Sequence, residues 1–195
     1  MPASSLKTCL ITGAAGGVGR ALVRAFREAD YTVVATDVAD EPTDLGAHRY
    51  IKADLKEFAA DEACASGIVE ELRDCIESNG LHVLVNNAAI QILGGTDSLD
   101  RADWRATLDV NLLSPFLLAQ AFLSELEQAS GCIVNISSIH AKLTKANFVA
   151  YATSKAALSG MTRAMAVDLG PRVSVNAVEP EAIETPMLRA GFGAS

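Results

Sequence analysis

Residues 12–19 read TGAAGGVG. They follow the apolar run CLIT (9–12) and lead into VGRALVRAFREA (18–29), a stretch of good helix formers. A strand, a glycine-rich turn and a helix in immediate succession decide the fold. Gly13, Gly17 and Gly19 let the backbone approach a ligand closely, and the helix N-terminus beyond them offers amide donors and partial positive charge. That combination suits a pyrophosphate. The spacing is GxxxGxG, so the commoner GxGxxG fingerprint does not apply, and the turn alone would be weak evidence.

The same rhythm continues downstream. TVVAT (32–36), RYI (49–51), HVLV (82–85), CIVNI (132–136) and RVSVNAV (172–178) are short runs rich in apolar and β-branched residues. Between them lie a polar helix around 61–78, a long helical stretch from about Asp103 to Gln128, and a helix through YATSK (151–155). Strands apolar on nearly every residue, alternating with helices, predict a parallel sheet covered on both faces. The expected fold is α/β: one doubly wound parallel sheet (Rossmann fold) of about six strands. Residues 1–195 then form a single domain, with no repeat or linker to divide it.

Asp37 ends the second strand. A carboxylate there accepts hydrogen bonds from a ribose 2′-hydroxyl and repels a 2′-phosphate. No Arg or Lys lies in the glycine turn or beside Asp37. NAD is therefore expected rather than NADP.

Composition narrows the partners. A formal net charge of −8 gives nucleic acid or an anionic membrane little to hold. The longest apolar region, LLSPFLLAQAFL (112–123), is interrupted by Ser, Pro and Gln and is too short to span a bilayer. MPASSLK carries no signal-peptide pattern. Cys9, Cys64, Cys75 and Cys132 show no metal-ligand spacing, and Cys9 and Cys132 sit inside apolar runs as buried thiols would. The expectation is a soluble cytoplasmic protein with no metal site, no nucleic-acid partner and no membrane partner.

Tyr151 and Lys155 stand four positions apart, on one face of a helix. A free phenol, with a pKa of about 10, is too weakly acidic to serve as a base near neutrality. An ammonium at 4 Å is worth roughly 4 kcal/mol at an effective dielectric of 20, enough to lower the phenol by up to about three pH units. Tyr151 is thus expected to act as general base in alcohol oxidation and general acid in carbonyl reduction. Pro115 has no N–H, so the helical bond to the carbonyl of Asn111 cannot form, and that carbonyl is expected to be free at a local bend. Ser137 and Ser138 close the strand CIVNI at the edge where parallel sheets bind ligands.

TGAAGGVG, Asp54-Leu55, NNAA (86–89), Asn111, ISS (136–138) and YATSK occur in the order and spacing of one family. Over about residues 7–190 the chain resembles the short-chain dehydrogenase/reductase family, in its common non-extended branch. The resemblance implies a catalytic set of Asn111, Ser138, Tyr151 and Lys155. In it Ser138, rather than Ser137, hydrogen-bonds the substrate oxygen, Lys155 also reaches the nicotinamide ribose, and Asn111 holds a water. It implies cofactor contacts from Gly13, Gly17, Val18, Gly19, Asp37, Asp54, Leu55, Asn87, Ala88, Tyr151, Lys155, Pro180, Ile183 and Thr185. For Asp54 a helix cap is the competing reading. His140 is a candidate to face substrate, while His48 and His82 look incidental.

Two departures stand out. Pro180-Glu181 occupies the place of a usual Pro-Gly, and the chain stops before the family's seventh strand, which would leave strand six as an open edge. The main expectation is an NAD-dependent oxidoreductase acting on a small-molecule secondary alcohol or ketone. The alternative is an NAD-binding or interaction protein with little turnover, because of Glu181 and the shortened C-terminus. The helix around 104–126 is apolar on more than one face, which together with the resemblance implies a homodimer or homotetramer.

Overall fold

In a computed structural model, which describes residues 6–181 and 183, six strands form one sheet of order β3-β2-β1-β4-β5-β6. The strands are β1 (Lys7–Thr12), β2 (Tyr31–Asp37), β3 (Arg49–Lys52), β4 (Val83–Asn86), β5 (Cys132–Ile136) and β6 (Ser174–Val178). Every neighbouring pair is parallel. The order reverses between β1 and β4, so the turn that follows β1 opens into the crevice where such sheets bind ligands.

Alternation along each strand explains why nearly every position is apolar. In β1, Leu10 joins one cluster with Val34, Leu84 and Ile133, while Cys9 and Ile11 join the other with Val33, Val83 and Val85. Successive side chains point to opposite faces, and helices cover both. Helix α1 (Gly17–Glu28) brings Val23 to the second cluster. Phe58, Leu118, Phe122 and Leu126 close the first.

Two helical expectations change. The helix expected around 61–78 is the shorter α3 (Glu62–Arg73), and a short helix that was not expected, α2 (Leu55–Ala60), precedes it. Each has its own aspartate cap: Asp54 accepts from Lys56 N at 2.8 Å, and Asp61 from Cys64 N at 2.7 Å. The long helix from Asp103 to Gln128 is α4 (Arg101–Leu108), a π-helical turn over Asp109–Leu113, α5 (Ser114–Ala121) and α6 (Leu123–Gln128). Pro115 cannot close the regular ladder. The π turn accommodates it, with Ser114 N donating to Asp109 O.

Leu118, Phe122 and Leu126 of this broken rod are buried, whereas Leu113 and Phe116 are 38% and 41% exposed. One apolar side therefore faces outward. His48 and His82 are not incidental. Their Nδ1 atoms accept from Val33 N at 2.9 Å and Thr8 N at 3.1 Å, and burial holds both imidazoles below their usual pKa, as an accepting nitrogen requires.

Among the described residues β6 pairs only with β5, and no helix is long and apolar enough to cross a membrane. Thr185, expected at the cofactor, lies outside the described residues.

Candidate active site

The glycine turn is locked before any ligand arrives. Gly13 has φ +64°, and a Cβ there would sit 2.7 Å from Ala88 Cα. A Cβ on Gly19 would lie 2.1 Å from Gly13 O, so α1 folds back onto the turn only because that position is bare. Asn87 Nδ2 donates to Thr12 O and to Gly13 O, both at 2.9 Å. Thr12 Oγ1 accepts from Asn87 N at 3.1 Å and Ala88 N at 3.0 Å. The end of β4 thus holds the end of β1.

Gly16 caps α1 without a side-chain acceptor, and no acid stands in the first turn. The helix N-terminus faces the cleft with its donors uncapped, which fits a diphosphate. Asp37 takes Ala15 N on Oδ2 at 2.9 Å and Ala39 N on Oδ1 at 3.0 Å. Its carboxylate is fixed beside the glycine turn.

Helix α7 (Val149–Leu169) carries the Tyr151–Lys155 pair. Tyr151, Ser154, Lys155 and Ser159 are all buried. Lys155 is only 2% exposed and donates from Nζ to Ile136 O at 2.7 Å. Burial pushes its pKa down to about 8. Ser138 caps a short 3-10 turn, Ile139–Ala141, by accepting from His140 N at 3.2 Å, and its hydroxyl favours ionisation of the Tyr151 phenol.

The expected lowering of the phenol by Lys155 is not what the structure gives. Burial raises Tyr151 above its ordinary value of 10, and the Ser138 hydroxyl is what pulls it back. The Lys155 ammonium is turned to the Ile136 carbonyl and lies 5.8 Å from the centre of the tyrosine ring. Desolvation therefore outweighs the charge expected to offset it.

Asn111 works through its side chain. Oδ1 accepts from Ile90 N at 2.8 Å, and Nδ2 donates to Ile90 O at 2.9 Å and Ser154 Oγ at 3.0 Å. Ser154 donates in turn to Tyr151 O at 2.7 Å. The π turn is thereby fastened to the segment after β4 and to the helix that carries Tyr151.

Sequence reasoning missed two supports. Ser137 Oγ donates to Lys155 O at 3.0 Å and meets Ser159 Oγ at 2.9 Å. Ser159 donates to Glu179 Oε1 at 2.8 Å, and Lys142 Nζ pairs with Glu179 Oε2 at 2.7 Å. An acid directly after the last β-branched strand was the available signal.

A cleft of about 670 Å³ gathers most of the expected residues: Gly13, Gly17, Val18, Gly19, Asp37, Asn87, Ala88, Ser138, Tyr151, Lys155, Pro180 and Ile183. His140 and Glu181 line it as well. Asn111, Asp54 and Leu55 do not: Asp54 caps α2, and Leu55 lies in the core.

A family model described as short chain dehydrogenase matches residues 7–192. The subunit BbsD of (2S)-[(R)-hydroxy(phenyl)methyl]succinyl-CoA dehydrogenase from Thauera aromatica is 35% identical over 196 residues, 93% of this chain and 75% of that protein. An oxidoreductase of the short chain dehydrogenase/reductase family from Brucella ovis, solved with a partially ordered NAD, is 36% identical with a TM-score of 0.84. That match covers 94% of this chain and 87% of the other. A solved structure from Beutenbergia cavernae with bound NADP at low occupancy is 31% identical with a TM-score of 0.84, over 94% and 75% of the two chains.

Proposed function

The chain belongs to the short chain dehydrogenase family, and from that premise we propose that it moves a hydride between NAD and a secondary alcohol or its ketone. The observation that carries this reading is a single cleft holding the glycine turn, Asp37, Ser138, Tyr151 and Lys155. When bound, the nicotinamide supplies the hydride chemistry. The rest is done by the chain. The turn and the start of α1 hold the diphosphate, and Asp37 favours a free 2′-hydroxyl over a phosphate.

Ser138 orients the substrate oxygen and Tyr151 exchanges the proton with it. At neutral pH the raised phenol keeps its proton, so the resting state is the acid that carbonyl reduction uses. Oxidation requires Tyr151 to give that proton up first and therefore speeds up as pH rises. Lys155 places a buried cation beneath the phenol, with Ser137 on its carbonyl and Ile136 on its ammonium. Asn111 is a positioning residue, acting through Ile90 and Ser154.

The apolar side bearing Leu113 and Phe116 supports assembly as a homodimer or homotetramer, which sedimentation would test. Four free cysteines support a reducing, cytoplasmic location.

A second reading, a nucleotide-binding protein with poor turnover, is favoured by Glu181 in the cleft wall, where it adds a side chain and a charge. The test measures NADH binding alongside turnover on a panel of secondary alcohols and ketones. The enzymatic reading expects turnover that falls by about 10³ in Tyr151→Phe, within the usual range for a lost acid or base, with NADH binding retained. NADH binding without turnover on any member, indifferent to Tyr151→Phe, sides with the second.

A further inference from the structure

The turn that carries Ser138 is held from behind the cleft. Its start is laddered onto the chain just past β6, with Ser137 N donating to Val178 O at 2.8 Å and Ile139 N to Pro180 O at 2.9 Å. Its end is held by charge. Lys142, directly after the turn, places Nζ 2.7 Å from Glu179 Oε2. The other oxygen of that carboxylate accepts from Ser159 Oγ at 2.8 Å. Ser159 lies four residues beyond Lys155, about one turn further along α7. One side chain thus joins the end of β6, the Ser138 turn and the helix that carries Tyr151.

The two arms differ in kind. Lys142 is 70% exposed, so its ion pair alone contributes little. Ser159 and Ser137 are buried. These two hydroxyls have two hydrogens for three contacts: to Lys155 O, to each other and to Glu179. A carboxylate only accepts, so it fixes the direction in which Ser159 donates. Lys142 and Ser159 hold Glu179 below the usual carboxylate range, with the Arg163 charge of α7 acting the same way, and the group is ionised at neutral pH.

We propose that Glu179 is a positioning residue that braces the Ser138 turn against α7 and so sets how the Ser138 hydroxyl meets the Tyr151 phenol. This deepens the oxidoreductase reading, on which its kinetic arm rests.

The test has two arms, run on the wild type, Glu179→Ala, Glu179→Gln and Lys142→Met, with melting curves to confirm folding. Ultraviolet titration follows the Tyr151 phenol as the difference between each protein and its own Tyr151→Phe counterpart, so that Tyr31 and Tyr50 cancel, and it needs no turnover. Kinetics with NADH use the ketone of the panel that the wild type reduces best. In Glu179→Ala the phenol should titrate at higher pH, because the Ser138 hydroxyl that favours its ionisation is no longer held in place. There kcat should fall about tenfold, the equivalent of one hydrogen bond, with KM for NADH unchanged. Glu179→Gln should lie between wild type and Glu179→Ala, since its amide oxygen still accepts from Ser159, and Lys142→Met should show the smaller loss of the exposed arm. A folded Glu179→Ala whose phenol titrates as in the wild type overturns the proposal, as does a lowered melting temperature with titration and kcat unmoved. A shifted titration in a protein that turns over no alcohol or ketone keeps this inference and sinks the oxidoreductase reading. Turnover that depends on Tyr151 but is indifferent to Glu179→Ala does the reverse.

Discussion

Replacing Lys155 with Met should make the protein more stable while abolishing its turnover. The fall of the lysine pKa from 10.5 to about 8 on burial corresponds to roughly 3 kcal/mol against the folded state at pH 7. Met occupies similar space without a charge to desolvate. It leaves Ile136 O without its 2.7 Å donor, a loss of about 1 kcal/mol or somewhat more. The net expectation at pH 7 is a gain of about 1–2 kcal/mol, or several degrees of melting temperature for a domain of this size. The pH dependence makes the reasoning specific. A base whose pKa is lower in the folded state leaves the unfolded chain holding more protons between about pH 8 and 10.5. Wild-type stability therefore gains a rising contribution across that window, and the Met variant does not. Urea unfolding of both proteins at pH 7 and pH 10 measures the gap, and other titrating groups cancel in the difference. A variant less stable than wild type at pH 7, or a gap that stays constant with pH, would refute the argument.

Two further substitutions probe the same site. Ser138→Ala removes the hydroxyl that holds the Tyr151 phenol down, so the inflection of the pH–rate profile for oxidation should move upward as the rate falls about 10²-fold; an unmoved inflection counts against that effect. Asn111→Ala removes three hydrogen bonds to Ile90 and Ser154, worth about 1 kcal/mol each, so unfolding should show a loss of about 2–4 kcal/mol, and unchanged stability would mean that the clamp does not hold the helix.

Much of the fold was legible because the sheet is apolar on both faces. CIVNI matched β5 residue for residue, and the glycine turn lay between strand and helix as read. The breaks in the helices were not legible in the same way. Apolar spacing continues through 103–128 whether or not the backbone inserts a π turn, and only the covalent fact of Pro115 pointed to a disturbance there. The residues of the cleft were recovered by motif, but their energetics were not. Coulomb's law from sequence spacing put the Lys155 charge on Tyr151, whereas the burial that reverses the sign depends on the strands and helices packed around α7. Glu179, Ser137 and the two accepting histidines belong to the same class. Each contact joins residues distant in the chain, and no local pattern announces it.

The π turn at Asp109–Leu113 has a further consequence. It spends one more residue than a regular helix would on the same advance. Deleting a residue there would restore the regular ladder with α5 and α6 still seated on the sheet, because the same advance is then made with one residue fewer. What the deletion removes is the widened turn that carries Asn111, and with it the side-chain grip on Ile90 and Ser154. The irregularity is an extra residue absorbed in place, so the apolar face downstream keeps its phase while Asn111 gains a position of its own.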